Sequence, residues 1–234
     1  TVTGRRVNVD TAISLPSGSL TLRATSGNLA VGGLLDVSGT SRSFHDVTRT
    51  TRAGNIVLAA NSGDVVLGAA SKLDLSSQAD GGALSEGSFV ENGSIDASGS
   101  AGRNGSFTLD VRALPSLAAL NSTLRAAKLT EAQTIRVRTG DVLVNGTATS
   151  RDFRLSADRG SITVTGSIDA SGETGGSIHL AARGDLITRA GSRLTVAGID
   201  FSSAGKGGSI TLESGTQLDG ASGTGSLDIR AGSI

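Results

Sequence analysis

Short stretches of alternating apolar and polar residues recur along the whole chain. In GSLTLRA (18–24), GNIVLAA (54–60), GSFTLDV (105–111), GSIHLAA (176–182), GSITLES (208–214) and GSLDIRA (225–231), Gly and a small polar residue precede the alternation. Ile56 with Leu58, Ile178 with Leu180 and Ile210 with Leu212 therefore share one side of a strand, and Ser, Thr, His or charged residues take the other. A second unit is a turn of the form x-Gly-[Asp/Asn/Ser]-aliphatic, seen in SGNL (26–29), SGDV (62–65), TGDV (139–142), RGSI (159–162) and RGDL (183–186). A third is aliphatic-Asp-x-Ser-Gly. The heptapeptide GSIDASG occurs unchanged at 93–99 and 166–172, with looser copies GLLDVSG (33–39) and SKLDLSS (71–77). The three units follow one another in the same order.

Strands this short, cut off by Gly, cannot build a wide sheet. Each can instead form one side of a coil whose successive turns stack. The pattern predicts an all-β fold, a right-handed parallel β-helix (solenoid), with equivalent strands about 4.8 Å apart and aliphatic ladders filling a narrow lumen. Gly at the corners is expected to supply backbone angles that other residues resist. At roughly 20–25 residues per coil, the chain holds about eight to ten coils. Residues 1–234 are read as a single segment of this kind.

Three stretches interrupt the repeat. Residues 40–53 (TSRSFHDVTRTTRA) and 78–92 (QADGGALSEGSFVEN) read as loop insertions leaving one corner. Residues 115–133 (PSLAALNSTLRAAKLTEAQ) lack Gly, and Leu117, Leu120, Leu124 and Leu129 lie near helical spacing after Pro115. A short helical insertion is expected there, covering apolar surface.

Composition narrows the function. The chain of 234 residues contains 34 Gly, five Phe, and no Cys, Met, Trp or Tyr. Without Cys there is no disulfide framework, zinc-thiolate site or thiol catalysis. Lys plus Arg equals Asp plus Glu at 21 each, so a counterion-displacing surplus is lacking. Neither nucleic-acid binding nor membrane insertion is expected, and no apolar run reaches the roughly 18 residues of a span. The missing Met and a last repeat that stops at GSI (232–234) lead us to expect a length of a longer chain. Its uncapped coils would continue in the parent protein or stack end to end on other copies.

Candidate chemistry is sparse. Arg183, Gly184 and Asp185 spell the integrin-recognition tripeptide and are a candidate receptor contact, although Gly184-Asp185 also occupies the recurring turn position. Asp36, Asp74, Asp96 and Asp169 of the third unit could stack in a ladder of like charges. Such a ladder would either bind Ca²⁺ or be relieved by Ser and backbone N–H groups. The spacing differs from the calcium-binding nonapeptide, which favours capping of corner N–H groups. His45 and His179 are the only imidazoles. No Gly-x-Ser-x-Gly elbow precedes a helix, so a Ser-His-Asp hydrolase is disfavoured. Gly205-Lys206 lacks the Ser/Thr and the Gly spacing of a phosphate loop. Asn92, Asn104, Asn121 and Asn145 each begin an Asn-x-Ser/Thr sequon. Catalytic, metal and cofactor residues are not assigned. The chain reads as a non-enzyme.

The passage 134–213, with GSIDASG followed by GGSIHL, resembles the repeat region of filamentous haemagglutinin-like exoproteins, and so does 54–112. The resemblance implies a large secreted β-helical fibre of a Gram-negative bacterium, exported by an outer-membrane partner (two-partner secretion) and acting in adhesion or as a surface filament. The Asn-Pro motifs of that family's secretion domain are missing here, where Pro16 follows Leu15 and Pro115 follows Leu114. The expected function is a structural or adhesive shaft segment of an extracellular fibre. Loops 40–53 and 78–92 would contact a surface glycan or protein. The alternative is a carbohydrate-binding or polysaccharide-cleaving β-helix, for which the scarcity of aromatics is a poor preparation.

Overall fold

The structure is a computed structural model that describes residues 1–87, 90–100, 102–198 and 207–229. The Gly205-Lys206 pair, the terminal GSI and positions 88–89 of the segment 78–92 lie outside the described residues. The chain forms two compact units, residues 1–109 with 126–131 and residues 110–125 with 132–234.

In the first unit three strands recur in fixed order. β1 (Val2–Gly4), β2 (Val7–Val9) and β3 (Ile13–Ser14) are followed by β4 (Ser19–Ala24), β5 (Leu29–Val31) and β6 (Leu34–Asp36). An antiparallel ribbon of β7 (Ser41–Phe44) and β8 (Val47–Thr50) intervenes. Then come β9 (Asn55–Ala60), β10 (Val65–Leu67) and β11 (Lys72–Asp74). β12 (Ala83–Glu86), β13 (Val90–Glu91) and β14 (Ser94–Asp96) complete another set, and β15 (Ser106–Val111) opens the next. Every strand of a set pairs in parallel with its equivalent in the next. The three sheets run β1-β4-β9-β12-β15, β2-β5-β10-β13 and β3-β6-β11-β14.

The second unit repeats the scheme after α1 (Leu117–Ala126). β16 (Ala132–Val137), β17 (Val142–Val144) and β18 (Thr147–Thr149) precede β19 (Asp152–Ala157), β20 (Ile162–Val164) and β21 (Ser167–Asp169). β22 (Ser177–Ala182), β23 (Leu186–Thr188) and β24 (Arg193–Thr195) follow, then β25 (Ser209–Glu213) and β26 (Leu227–Asp228). Their parallel sheets run β16-β19-β22-β25, β17-β20-β23-β26 and β18-β21-β24. The fold is all-β with parallel sheets.

The core of each unit is made of like residues stacked in register. In the first, Leu20, Ile56, Leu84 and Phe107 form one buried row. In the second, Ile135, Leu155 and Leu180 form another, continued by the half-buried Leu212. Alternation along each strand sends these side chains inward and their neighbours outward. Two rows carry a polar member. Glu86, only 4% exposed, lies in register between Leu58 and Leu109. Gln133 lies beside Phe153 and donates from Nε2 to the Thr149 carbonyl at 3.2 Å.

Four sequence expectations change. Residues 78–92 are not a loop leaving the corner: β12 takes a place in the first sheet, because Leu84 and Glu86 fit the inward register. Segment 40–53 is ordered as the β7–β8 ribbon. GSLDIRA (225–231) does not start another strand of the first type, since Leu227 pairs with Leu186 in the second sheet. The corner glycines, finally, mostly serve close approach rather than unusual backbone angles. Among the described glycines, only Gly140, Gly146, Gly191, Gly215 and Gly220 have positive φ. At Gly54, Gly82 and Gly105 a Cβ would collide with the carbonyl oxygen of Gly18, Gly54 and Gly82 respectively, one repeat earlier.

Of the expected 115–133, only Leu117–Ala126 is helical, and Ala132 and Gln133 already belong to β16. The Ser116 hydroxyl accepts from the Ala119 N–H at 3.2 Å and caps the first turn, with Pro115 just outside it. Leu117, Leu120, Asn121 and Leu124 form its buried face.

Candidate functional site

The Arg183-Gly184-Asp185 tripeptide sits at the corner between β22 and β23. The corner forms because Gly184 N donates to the Gly160 carbonyl at 2.9 Å, and Asp185 N donates to the Ser161 hydroxyl at 3.0 Å. Both recognition side chains are engaged within the unit. Arg183 Nη1 donates to the Ala221 carbonyl at 2.6 Å. Asp185 Oδ1 accepts from the Ser226 N–H at 2.8 Å and the Ser226 hydroxyl at 2.9 Å. The Ser226 N–H, then its hydroxyl, hold the Asp185 carboxyl below the usual carboxylate range. A receptor would have to displace these partners. Beside the corner opens a polar cleft of about 720 Å³, lined by Asp141, Arg159, Arg183, Leu218, Asp219 and Thr224 among others. Arg159 and Asp219 approach only to 4.0 Å and are well exposed, so their attraction is weak. Acids, bases and backbone groups around this cleft can hydrogen-bond a polar molecule. Among the described residues, no aromatic side chain lines it to stack a sugar ring.

The carboxylates of the third repeat unit do form a column. Asp36, Asp74 and Asp96 are register partners on β6, β11 and β14. Each is satisfied locally. Asp36 Oδ1 accepts from the Ser38 N–H at 2.9 Å and hydroxyl at 2.6 Å, and Asp74 does the same with Ser76 at 3.2 Å and 2.6 Å. Asp96 and Asp169 accept from the N–H of Ser98 and Ser171. Ser14 adds a hydrogen bond to Asp36 at 2.8 Å, and Lys72 lies 3.4 Å from Asp74. The Ser38 hydroxyl is the main cause of a lowered Asp36 pKa, opposed by partial burial. Asp169 faces Thr149 and Thr195 rather than another carboxylate. Among the described residues, no three His, Asp or Glu side chains gather closely enough to hold a metal ion.

The outward face of the second unit's first sheet carries ion pairs. Asp110 accepts from Arg138 at 2.8 Å, which is the chief reason its pKa is lowered, and Arg136 reaches Asp158 at 2.7 Å. His179 points outward and lies 3.2 Å from Glu213. His45 occupies the turn of the β7–β8 ribbon with φ 54°. The two imidazoles therefore stand in different units. Of the sequon residues, Asn121 is 3% exposed on the helix, so the folded chain withholds it from a glycosyltransferase. Asn92 and Asn145 are exposed.

One feature was hidden in the sequence. The ribbon read as a loop presents two arginines and two apolar residues on one face. Its signal was the alternation within SRSF and VTRT around a two-residue His-Asp turn. Comparison of the chain with protein-family models, curated proteins and solved structures returned no match.

Proposed function

We propose that the chain is a right-handed parallel β-helical segment of a secreted bacterial surface fibre or adhesin, structural and non-catalytic. The observation that carries this reading is the threefold recurrence: in each unit, strands of three types follow in fixed order, each in parallel register with its equivalent one repeat away. A chain that keeps returning to the same three sheets winds as a coil, and parallel crossovers strongly favour the right hand. The resemblance of 54–112 and 134–213 to filamentous haemagglutinin-like repeats supports an extracellular fibre exported with an outer-membrane partner. Stiffness is the mechanism. Backbone ladders and stacked aliphatic rows resist proteolysis and hold insertions such as the 40–53 ribbon away from the cell. A contact of the Arg183-Gly184-Asp185 corner with a host or cell-surface protein is the less favoured reading, since Ala221 and Ser226 already engage both side chains.

The competing reading, a carbohydrate-active β-helix, finds its best footing in the cleft between Asp141, Arg159 and Asp219. A depolymerisation assay on acidic and neutral polysaccharides, together with limited proteolysis of the purified chain, separates the two. We expect no cleavage and slow digestion confined to insertions. Depolymerisation abolished by Asp141→Asn would overturn the structural reading.

A further inference from the structure

We propose that the β7–β8 ribbon is a contact element for the surface of an anionic phospholipid bilayer. This deepens the reading of segment 40–53 as a displayed contact element and rests on it. Pairing places Arg42 opposite Arg49 and Phe44 opposite Val47. Residues two apart on a strand share a face, so these four side chains lie together, with Ser41, Ser43, Thr48 and Thr50 on the other face. The hydroxyl face is turned to the chain's own partners: Ser43 and Thr48 share a hydrogen bond of 2.9 Å, and Ser41 donates to Gln78 at 2.8 Å. Among the described residues, the other face makes no such bond. Phe44 is 57% exposed and Val47 47%, and all eight ribbon residues are exposed.

Like charges directly opposite one another destabilise a ribbon. Among the described residues, no carboxylate forms an ion pair with Arg42 or Arg49. An anionic partner would relieve that repulsion. The order of residues along the ribbon selects the partner. Phe44 and Val47 flank the His45-Asp46 turn at the tip, and the arginines stand about 7 Å behind. Tip-first contact with a bilayer puts the ring and the isopropyl group at the headgroup–acyl boundary and both guanidiniums at phosphate depth. An acidic peptide would require a groove or pockets, which a convex tip does not offer. Asp46 opposes the attraction and His45 is its neighbour in the turn, so a single ribbon gives weak, reversible attachment rather than a span. The zero net charge of the whole chain does not describe this local patch.

The test is co-sedimentation of the full chain with vesicles of phosphatidylcholine alone or mixed with phosphatidylglycerol. We expect partitioning only onto the mixed vesicles. Arg42→Gln with Arg49→Gln should weaken it about thirtyfold, from the usual contribution of two arginines near an anionic surface. Phe44→Ser with Val47→Ser should weaken it at least about tenfold. Neither pair should lower the melting temperature, since every altered side chain is exposed and the arginine pair carries a repulsion, and this separates lost binding from lost folding. Equal partitioning onto neutral vesicles, or parent-like binding by the Phe44/Val47 variant, overturns the proposal. So does retention on an immobilised sulfated polysaccharide without vesicle binding, which would mark a polyanion contact. Polysaccharide cleavage by a chain whose ribbon still binds vesicles would overturn the fibre reading and leave this one standing.

Discussion

Replacing Gly105 with Ala tests whether the corner glycines are there for space. Gly105 is buried just before β15, and a Cβ there would stand 2.5 Å from the Gly82 carbonyl oxygen and 2.5 Å from the Ala97 Cβ. Ordinary contact begins near 3.4 Å, so one strand has to retreat by almost 1 Å. It cannot retreat freely. Gly105 N donates to the Ala97 carbonyl at 2.8 Å and to the Lys128 carbonyl at 3.0 Å, while its own carbonyl accepts from Glu131 N at 3.0 Å. Overpacking of this kind costs about 1–3 kcal/mol, and weakening one or two of these hydrogen bonds adds about 1 kcal/mol each.

We therefore expect Gly105→Ala to lose about 2–4 kcal/mol, which for a unit of this size lowers the melting temperature by roughly 10 °C. The control is Gly68→Ala. There a Cβ meets nothing closer than the Val31 carbonyl oxygen at 3.4 Å, and φ is not positive. Reduced freedom of the unfolded chain should make Gly68→Ala neutral or stabilising by up to about 1 kcal/mol. Circular dichroism melts of both variants check the pair. Equal losses, or a larger loss at Gly68, would refute the close-approach argument and return the glycines to a role in backbone angle.

Inward and outward neighbours on one strand should differ just as sharply. Leu180→Ala empties a fully buried position and should cost about 2–5 kcal/mol in urea unfolding. His179→Ala removes only an exposed contact with Glu213 and should stay within about 1 kcal/mol. Stability should also fall in acid. Asp36 and Asp110 have folded pKa values below their unfolded ones, so their contribution is present above about pH 4 and is lost as pH drops through the folded values. Urea midpoints of Asp36→Asn should show a smaller drop between neutral and acidic pH than the parent's. At the tripeptide corner, Asp185→Glu should leave attachment of integrin-bearing cells unchanged, because Ser226 already occupies the carboxylate. A selective loss of attachment would make Asp185 a receptor contact.

Local chemistry was legible in the sequence, and non-local chemistry was not. Gly-Ser followed by alternating aliphatics marks β4, β22 and β25, since each inward position carries an apolar side chain. β12 and β16 escaped because Glu86 and Gln133 occupy inward positions and break the alternation that defines a strand. β18 escaped for another reason: in Thr147–Thr149 only Ala148 is buried, too little for a periodic signal. The Asp-x-Ser hydrogen bonds span two residues, so the capping alternative could be written from the motif. The partners of Asp185 and Arg183 lie 41 and 38 residues away, and no spacing argument could supply them. The terminal GSLDIRA looked like a first-type strand because Gly-Ser-aliphatic also suits the second sheet, where Leu227 meets Leu186.

The spacing of register partners points to where contact chemistry can evolve in such a fold. Leu155 follows its partner Ile135 by 20 residues, as Leu22 follows Val2, and three short strands with their corners fill that interval. In a minimal repeat the inward positions are taken by the rows, so substitution there is felt as lost packing. Ile56 follows Leu20 by 36 residues, and the surplus is taken up by the ribbon. Its backbone bonds are made within itself, and its base is held by Ser17 with Thr51 at 2.6 Å and by Ser77 on the Thr51 carbonyl at 2.6 Å. The ribbon's side chains are thus released from any duty to the core, and what they carry instead is Arg42, Arg49, Phe44 and Val47. A fold whose minimal repeat is committed to rigidity has room for recognition in the residues beyond it, and in the first unit the ribbon sets two exposed arginines beside an exposed ring.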